Sequence, residues 1–173
     1  RSDFRHYYEG LDLAHLNSGF AALTYHEIVP ERHLAQHLES MRREGFPDYG
    51  VLPAGKRETY GPMIFVEPFH PTNAKVLGFD PLTNEVAREA IERARDTGKI
   101  AVTAKLTLAQ DDRAGSPAFV MYAPLYLYGF SKTTQALRRE NFFGWVGMPY
   151  RWSDLMSRLF PDGLGEVDFE VFD

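Results

Sequence analysis

The chain has 173 residues, of which 44% are hydrophobic and 25% charged, as is usual for a globular domain with an adequate core. Its net charge of −5 and the lack of a basic run argue against nucleic acid or an anionic membrane surface as a partner. The absence of cysteine excludes disulfides, thiolate catalysis and cysteine-based zinc sites.

The first third of the chain predicts short, alternating elements. Residues 1–20 place apolar side chains at loosely helical spacing. The elements that follow are predicted from apolar runs, from a proline suited to a helix start and from glycine stops. They are a strand over 21–29, a helix over 31–44, and strands over 46–51 and 62–69.

The most clearly marked element is a helix that ends at about Thr97. Thr83 or Asn84 is suited to cap its start, and Gly98 is suited to a left-handed C-terminal cap. Its predicted buried stripe consists of Val86, Ala90, Ile91 and Ala94. The other predicted elements are strands over 100–108, 118–128, 142–148 and 167–172, and helices over 133–141 and 150–159.

The strand over 100–108 alternates, which predicts opposite faces for successive side chains. One face would carry Val102, Ala104, Leu106 and Leu108, and the other would carry Thr103, Lys105 and Thr107. The mixture of helices and hairpins predicts an α+β fold. A weak structural repetition on either side of about Ser131 predicts two subdomains packed as one unit.

No set of residues predicts catalysis or a metal site. His33 and His37 are four apart on a predicted helix but lie off its apolar stripe, which favours a solvated face. His26 and Glu27 form a base and carboxylate pair without a nearby nucleophile. A hydrolase that uses this pair remains one alternative, and a ligand-free interaction domain remains another. Glycine-rich phosphate motifs are absent, and no cofactor is expected.

The helix after Asn84 and the strands around it predict one wall of a small-molecule pocket. Such a site needs a largely apolar wall with few polar anchors. Glu67 could accept hydrogen bonds from a ligand or face outward, and Asp80 could bind a ligand amine or satisfy turn amides. Thr103, Lys105 and Tyr122 could be anchors or solvent-facing residues of the sheet. The predicted ligand-binding residues are Phe65, Glu67, Asp80, Ile91, Thr103, Lys105 and Tyr122.

Several segments, in their order and spacing, resemble the CHASE domain family. The resemblance is clear from Ala22 to Tyr126 and looser from Ser131 to Asp173. The segments that carry it are Val29-Pro30-Glu31-Arg32, the Met63–Pro68 strand ending in Glu67-Pro68, Gly78-Phe79-Asp80, Ala94-Arg95-Asp96-Thr97-Gly98 and Pro124-Leu125-Tyr126.

The resemblance implies an extracytoplasmic sensory module of receptor histidine kinases or nucleotide cyclases. It implies that 1–20 ends a stalk helix, 21–130 is a membrane-distal PAS-like ligand-binding subdomain and 131–173 is a membrane-proximal one. It also implies a homodimer through the N-terminal helix, and membrane contact only through flanking segments. Family members that bind an adenine-type ligand use an aspartate after the strand that corresponds to Met63–Pro68. No aspartate follows closely here, so an adenine ligand is not expected.

Overall fold

The computed structural model describes residues 2–11, 20–109, 111 and 117–162. Within them the chain forms six α-helices and seven strands. The helices are α1 (Ser2–Gly10), α2 (Leu34–Arg43), α3 (Pro71–Ala74), α4 (Glu85–Thr97), α5 (Gln135–Asn141) and α6 (Trp152–Leu159). The strands are β1 (Leu23–Glu27), β2 (Val29–Pro30), β3 (Thr59–Tyr60), β4 (Met63–Glu67), β5 (Ala101–Val102), β6 (Ala118–Tyr126) and β7 (Phe142–Arg151).

Five of the strands form one antiparallel sheet of order β4-β1-β7-β6-β5, and β2 pairs with β3. The late strand β7 is the central one and pairs with β1 on one side and with β6 on the other. A strand from the segment 131–173 thus lies between strands from the segment 21–130. Thr24 pairs with Gly147, which lies 123 positions later in the sequence. Local patterning cannot predict such a long-range contact. The described residues thus confirm the α+β class but share a single main sheet.

Helix α4 packs on one face of this sheet, called the inner face below. The side chain of Asn84 caps it by accepting a hydrogen bond from the Ala87 amide at 3.0 Å, and Gly98 ends it at φ 73°. Both cap residues agree with the sequence prediction, in which Asn84 was one of two candidates. The observed buried stripe of the helix includes Ala87, whereas Val86, which the sequence placed in the stripe, is half-buried.

The inner face carries the largest buried side chain of the domain, Trp145 on β7. Its ring stacks on His26 of β1, with centroids 4.9 Å apart, and meets Tyr122 of β6 edge-on. Ile91 of α4 closes this core from above. The stacked rings therefore join the three central strands beneath the helix.

The opposite, outer face of the sheet is covered in part by α1. Phe4 packs against Tyr25 of β1 and Phe65 of β4, at centroid distances of 6.2 and 5.5 Å. Tyr8 reaches Phe20 edge-on. The helix expected over 1–20 is observed over Ser2–Gly10, and residues 12–19 lie outside the described part of the chain.

Two predicted strands differ from the structure. The segment 46–51 contains a turn, in which the Tyr49 amide donates to the Phe46 carbonyl, and both rings pack against the core that includes Met41 and Ile64. The strand predicted over 100–108 ends at Val102, and the chain returns to β6 through an isolated bridge at Leu106.

At the start of this segment, Val102 and Thr103 lie on opposite faces, as alternation predicts. Val102 is 42% exposed and Thr103 is buried, because Ala101 and Thr103 are the side chains that β6 and α4 cover. The strand predicted over 167–172 lies outside the described residues. Among the described helices, none combines the length and apolarity that crossing a bilayer requires.

Candidate functional site

A pocket of about 210 Å³ lies between the inner face of the sheet and the N-terminal half of α4. Its floor comes from β1, β6 and the end of β7, and its sides come from β4, the α3–α4 connection and the segment after β5. Because the floor needs strands from both halves of the sequence, it exists only in the assembled sheet. The lining residues are Ala22, Thr24, His26, Met63, Val66, Val76, Phe79, Pro81, Asn84, Ala87, Leu106, Thr107, Leu108, Ala109, Val120, Tyr122 and Pro149.

Two polar side chains of β1 lie in the floor and bind each other. Successive strand residues alternate between faces, so Thr24 and His26 share the inner face. The Nε2 atom of His26 lies 3.2 Å from Thr24 Oγ1, and its Nδ1 atom lies 3.1 Å from the Gly61 carbonyl. A carbonyl can only accept, so Nδ1 carries the hydrogen of the neutral ring. The Thr24 hydroxyl then donates either to Nε2 or to the Gly147 carbonyl at 3.1 Å.

His26 is neutral in this setting. Burial lowers the pKa of His26 to about 4, and the hydrogen bond to the Gly61 carbonyl opposes this shift only in part. The ring is held from below by the Trp145 stack. The floor of the pocket is therefore an uncharged imidazole of fixed orientation, with Nδ1 bound to the Gly61 carbonyl and Nε2 beside the Thr24 hydroxyl.

Tyr122 differs from its neighbours because its hydroxyl has no hydrogen-bond partner among the described residues, although the side chain is only 4% exposed. Burial raises the pKa of Tyr122, so the phenol stays protonated. A protonated phenol can both donate and accept. Tyr122 therefore offers a bound molecule a hydrogen bond that the protein itself does not use.

Gly147 sets the depth of the floor between Thr24 and Tyr122. A Cβ atom at this position would lie 2.6 Å from Thr24 Oγ1 and 3.2 Å from the Tyr122 ring. Gly61, whose carbonyl binds His26, is also restricted, because a Cβ there would overlap the Trp145 ring. Glycine at these two positions allows the polar side chains to approach the strand behind them.

The structure brings only one of the seven predicted ligand-binding residues, Tyr122, into this pocket. Ile91 lies in the adjoining core under α4. Phe65 lies on the outer face against α1, because β4 alternates and Val66 takes the inner position. Phe65 therefore lies outside this pocket.

Glu67 and Asp80 are buried, and the carboxylate of each accepts a hydrogen bond from a backbone amide. Glu67 accepts a hydrogen bond from the Phe69 amide at 2.9 Å. Asp80 accepts one from the Leu82 amide at 3.0 Å, and its carboxylate lies 3.4 Å from the Arg57 guanidinium. Burial raises the pKa of Asp80, while Leu82 and Arg57 act in the opposite direction. Of the two interpretations left open for Asp80, the structure thus shows the turn-stabilising one.

Thr103 and Lys105 line a separate groove of about 420 Å³ at the edge of the sheet, together with Phe119 and Trp152. Thr103 is buried, and its hydroxyl oxygen accepts a hydrogen bond from the Val120 amide at 3.0 Å. Neither residue shares the pocket with Tyr122. The predicted anchors thus divide between two concavities because the strand predicted over 100–108 ends early.

Sequence reasoning missed Thr24 as a site residue and considered His26 only as a base. Alternation along 22–26 could have placed Ala22, Thr24 and His26 on one face. Nothing in the sequence shows which face of β1 lies under α4.

The structure does not form the pair on which the hydrolase alternative depends. Glu27 lies on the other face of β1 from His26, and its charge acts on Tyr25 and Tyr49. His37 is half-buried and its Nε2 lies 3.1 Å from the Tyr49 hydroxyl, so the solvated face predicted for His33 and His37 holds only for His33. No cluster of three metal-ligating side chains occurs among the residues that the structure describes.

Comparison with known proteins gives one family. No curated protein matches the chain. A family model described as the CHASE domain matches residues 1–173, which is the whole chain. The chain therefore belongs to the CHASE domain family, whose members are the extracytoplasmic sensory domains of signalling receptors.

Proposed function

We propose that this domain senses a small molecule, which it binds in the pocket beneath α4 without transforming it. The observation that carries the proposal is the Tyr122 hydroxyl, which has no partner among the described residues and lies in a largely apolar, partly enclosed pocket. The sheet and α4 would form the ligand-binding subdomain of a receptor with a histidine kinase or diguanylate cyclase output. Membership of a sensory family supports this assignment.

The geometry of β1 supplies a route from the pocket to α1. Thr24 and His26 face the pocket, whereas Tyr25 between them packs against Phe4 of α1. A ligand that moves β1 would thus also move the helix on the other face. We propose that α1 is the end of a stalk helix that pairs with its copy in a homodimer. Binding would shift the balance between two arrangements only to the extent that the ligand prefers one of them.

Two alanines of α4 allow a test of the pocket that requires no ligand. Ala87 lines the pocket, whereas Ala90, which is also buried, packs in the core and is not part of the lining. Ala87→Leu should extend into empty space and change the free energy of unfolding little. Ala90→Leu should overpack the core and cost about 1–3 kcal/mol.

Thermal melts of both variants should be followed by thermal-shift screening of a fragment library against the wild type and Ala87→Leu. We expect fragments that raise the melting temperature of the wild type but have no effect on Ala87→Leu. If Ala87→Leu is as unstable as Ala90→Leu and fragments act equally on both proteins, the pocket is not the sensing site.

A further inference from the structure

We propose that the ligand is a compact, uncharged and mostly apolar molecule with one polar group that forms a hydrogen bond with Tyr122. This inference rests on the proposed ligand site. The ligand class then follows from the charges, hydrogen bonds and size of the pocket.

The first argument is the charge of the wall. Among the described residues, those that line the pocket are apolar or neutral, and none is Asp, Glu, Lys or Arg. The titratable imidazole in the floor is held neutral, with Nδ1 on the Gly61 carbonyl and Nε2 beside the Thr24 hydroxyl. A charged ligand would lose its hydration without gaining an opposite charge, and uncompensated burial of an ion is strongly unfavourable.

Two carboxylates near lining residues in sequence are largely buried but do not line the pocket. Asp80, next to the lining residue Pro81, is held by the Leu82 amide and lies beside Arg57. Asp111, two residues after the lining residue Ala109, accepts hydrogen bonds from Arg151 at 2.6 and 2.9 Å. Each carboxylate thus has one oxygen bound by a protein donor, while its Oδ2 atom has no hydrogen-bond partner among the described residues. Because neither residue lines the pocket, neither supplies a counter-ion to a cationic ligand there.

The second argument is the supply of hydrogen bonds. The Thr24 hydroxyl donates within the floor, and Asn84 Oδ1 accepts from the Ala87 amide. Asn84 and Thr107 of the lining are exposed, whereas Tyr122 is 4% exposed and its hydroxyl has no partner among the described residues. One polar group on the ligand can therefore be satisfied at depth, and further buried polar groups would go unpaired.

The third argument is size. An engineered apolar cavity of about 150 Å³ binds benzene. The present pocket, of about 210 Å³, is larger and carries a polar group. A single ring with one short polar substituent therefore matches its volume.

The test uses probes that share one ring and differ in charge. Trp152→Phe leaves Trp145 as the single tryptophan of the chain, in contact with His26 and Tyr122 of the floor. Trp145 emission and thermal shift at pH 7 should be measured with toluene, benzyl alcohol, benzamide, benzoate and benzylammonium. We expect the neutral probes to bind and both charged probes to bind at least about tenfold more weakly.

Tyr122→Phe then tests the anchor. Benzyl alcohol should lose about 2- to 12-fold in affinity, the equivalent of one ordinary hydrogen bond, and toluene should bind as before. Equal or tighter binding of benzoate or benzylammonium would overturn the inference on charge and leave the sensing pocket intact. Failure of all five probes to bind would overturn the inference on ligand class. The Ala87→Leu melt, which involves no ligand, decides separately whether the proposed function fails as well.

Discussion

Two tyrosines of β6 provide a test of the site, because the hydroxyl of one forms a hydrogen bond within the protein and the hydroxyl of the other has no partner among the described residues. Tyr122 and Tyr126 both lie beside α4. The Tyr122 hydroxyl has no partner among the described residues, whereas the Tyr126 hydroxyl donates to the Arg95 carbonyl at 2.5 Å, near the end of α4. Carbonyls in the last turn of a helix lack helical partners, so this bond satisfies a group that the helix cannot. Phenylalanine at either position removes one oxygen and leaves the ring.

The expected magnitudes follow from these contacts. Tyr126→Phe loses a hydrogen bond, at a cost of about 0.5–1.5 kcal/mol in the free energy of unfolding. In a domain of this size, the melting temperature falls by about 2–4 °C for each kcal/mol. Tyr122→Phe removes a hydroxyl that has no hydrogen-bond partner among the described residues, so no protein hydrogen bond is lost. Its stability should therefore equal or exceed that of the wild type.

Urea denaturation followed by circular dichroism measures both variants, and thermal melts provide an independent comparison. We expect Tyr126→Phe to unfold at lower urea with an unchanged m-value, since the exposed surface is the same. A loss of stability in Tyr122→Phe as large as that in Tyr126→Phe would show that the Tyr122 hydroxyl already has a protein partner. The ligand anchor would then be refuted.

Two further predictions concern the floor of the pocket. Gly147→Ala places a methyl group 2.6 Å from Thr24 Oγ1, so calorimetry should show a loss of about 1–3 kcal/mol together with weaker benzyl alcohol binding; wild-type values would contradict the packing described. Because the pKa of His26 is lowered from 6.5 to about 4, the unfolded chain takes up this proton first as the pH falls. The contribution of His26 is complete above about pH 6.5, and about 3 kcal/mol is lost between pH 6.5 and 4. His26→Gln should have a flatter stability profile in this window, and an unchanged slope would contradict the buried neutral ring.

The sequence alone was enough for the elements whose signals are local. The Asn84 cap, the Gly98 stop and the buried positions Ala90, Ile91 and Ala94 specify α4, because capping and helical periodicity involve residues a few positions apart. Strong apolar runs likewise predicted β4 and β6, with ends within a few residues. The α+β class and the family resemblance followed from the order of these elements.

The tertiary structure decided which strands are neighbours and therefore where the pocket lies. Thr24 meets Gly147, which is 123 positions away in sequence, and no local pattern specifies such a pairing or places β7 at the centre of the sheet. Strand alternation predicts two faces for β1 but does not show which one α4 covers. Because α4 covers the face that carries Thr24 and His26, His26 and Tyr122 line one pocket. Phe65 lies on the opposite face, where it packs against α1.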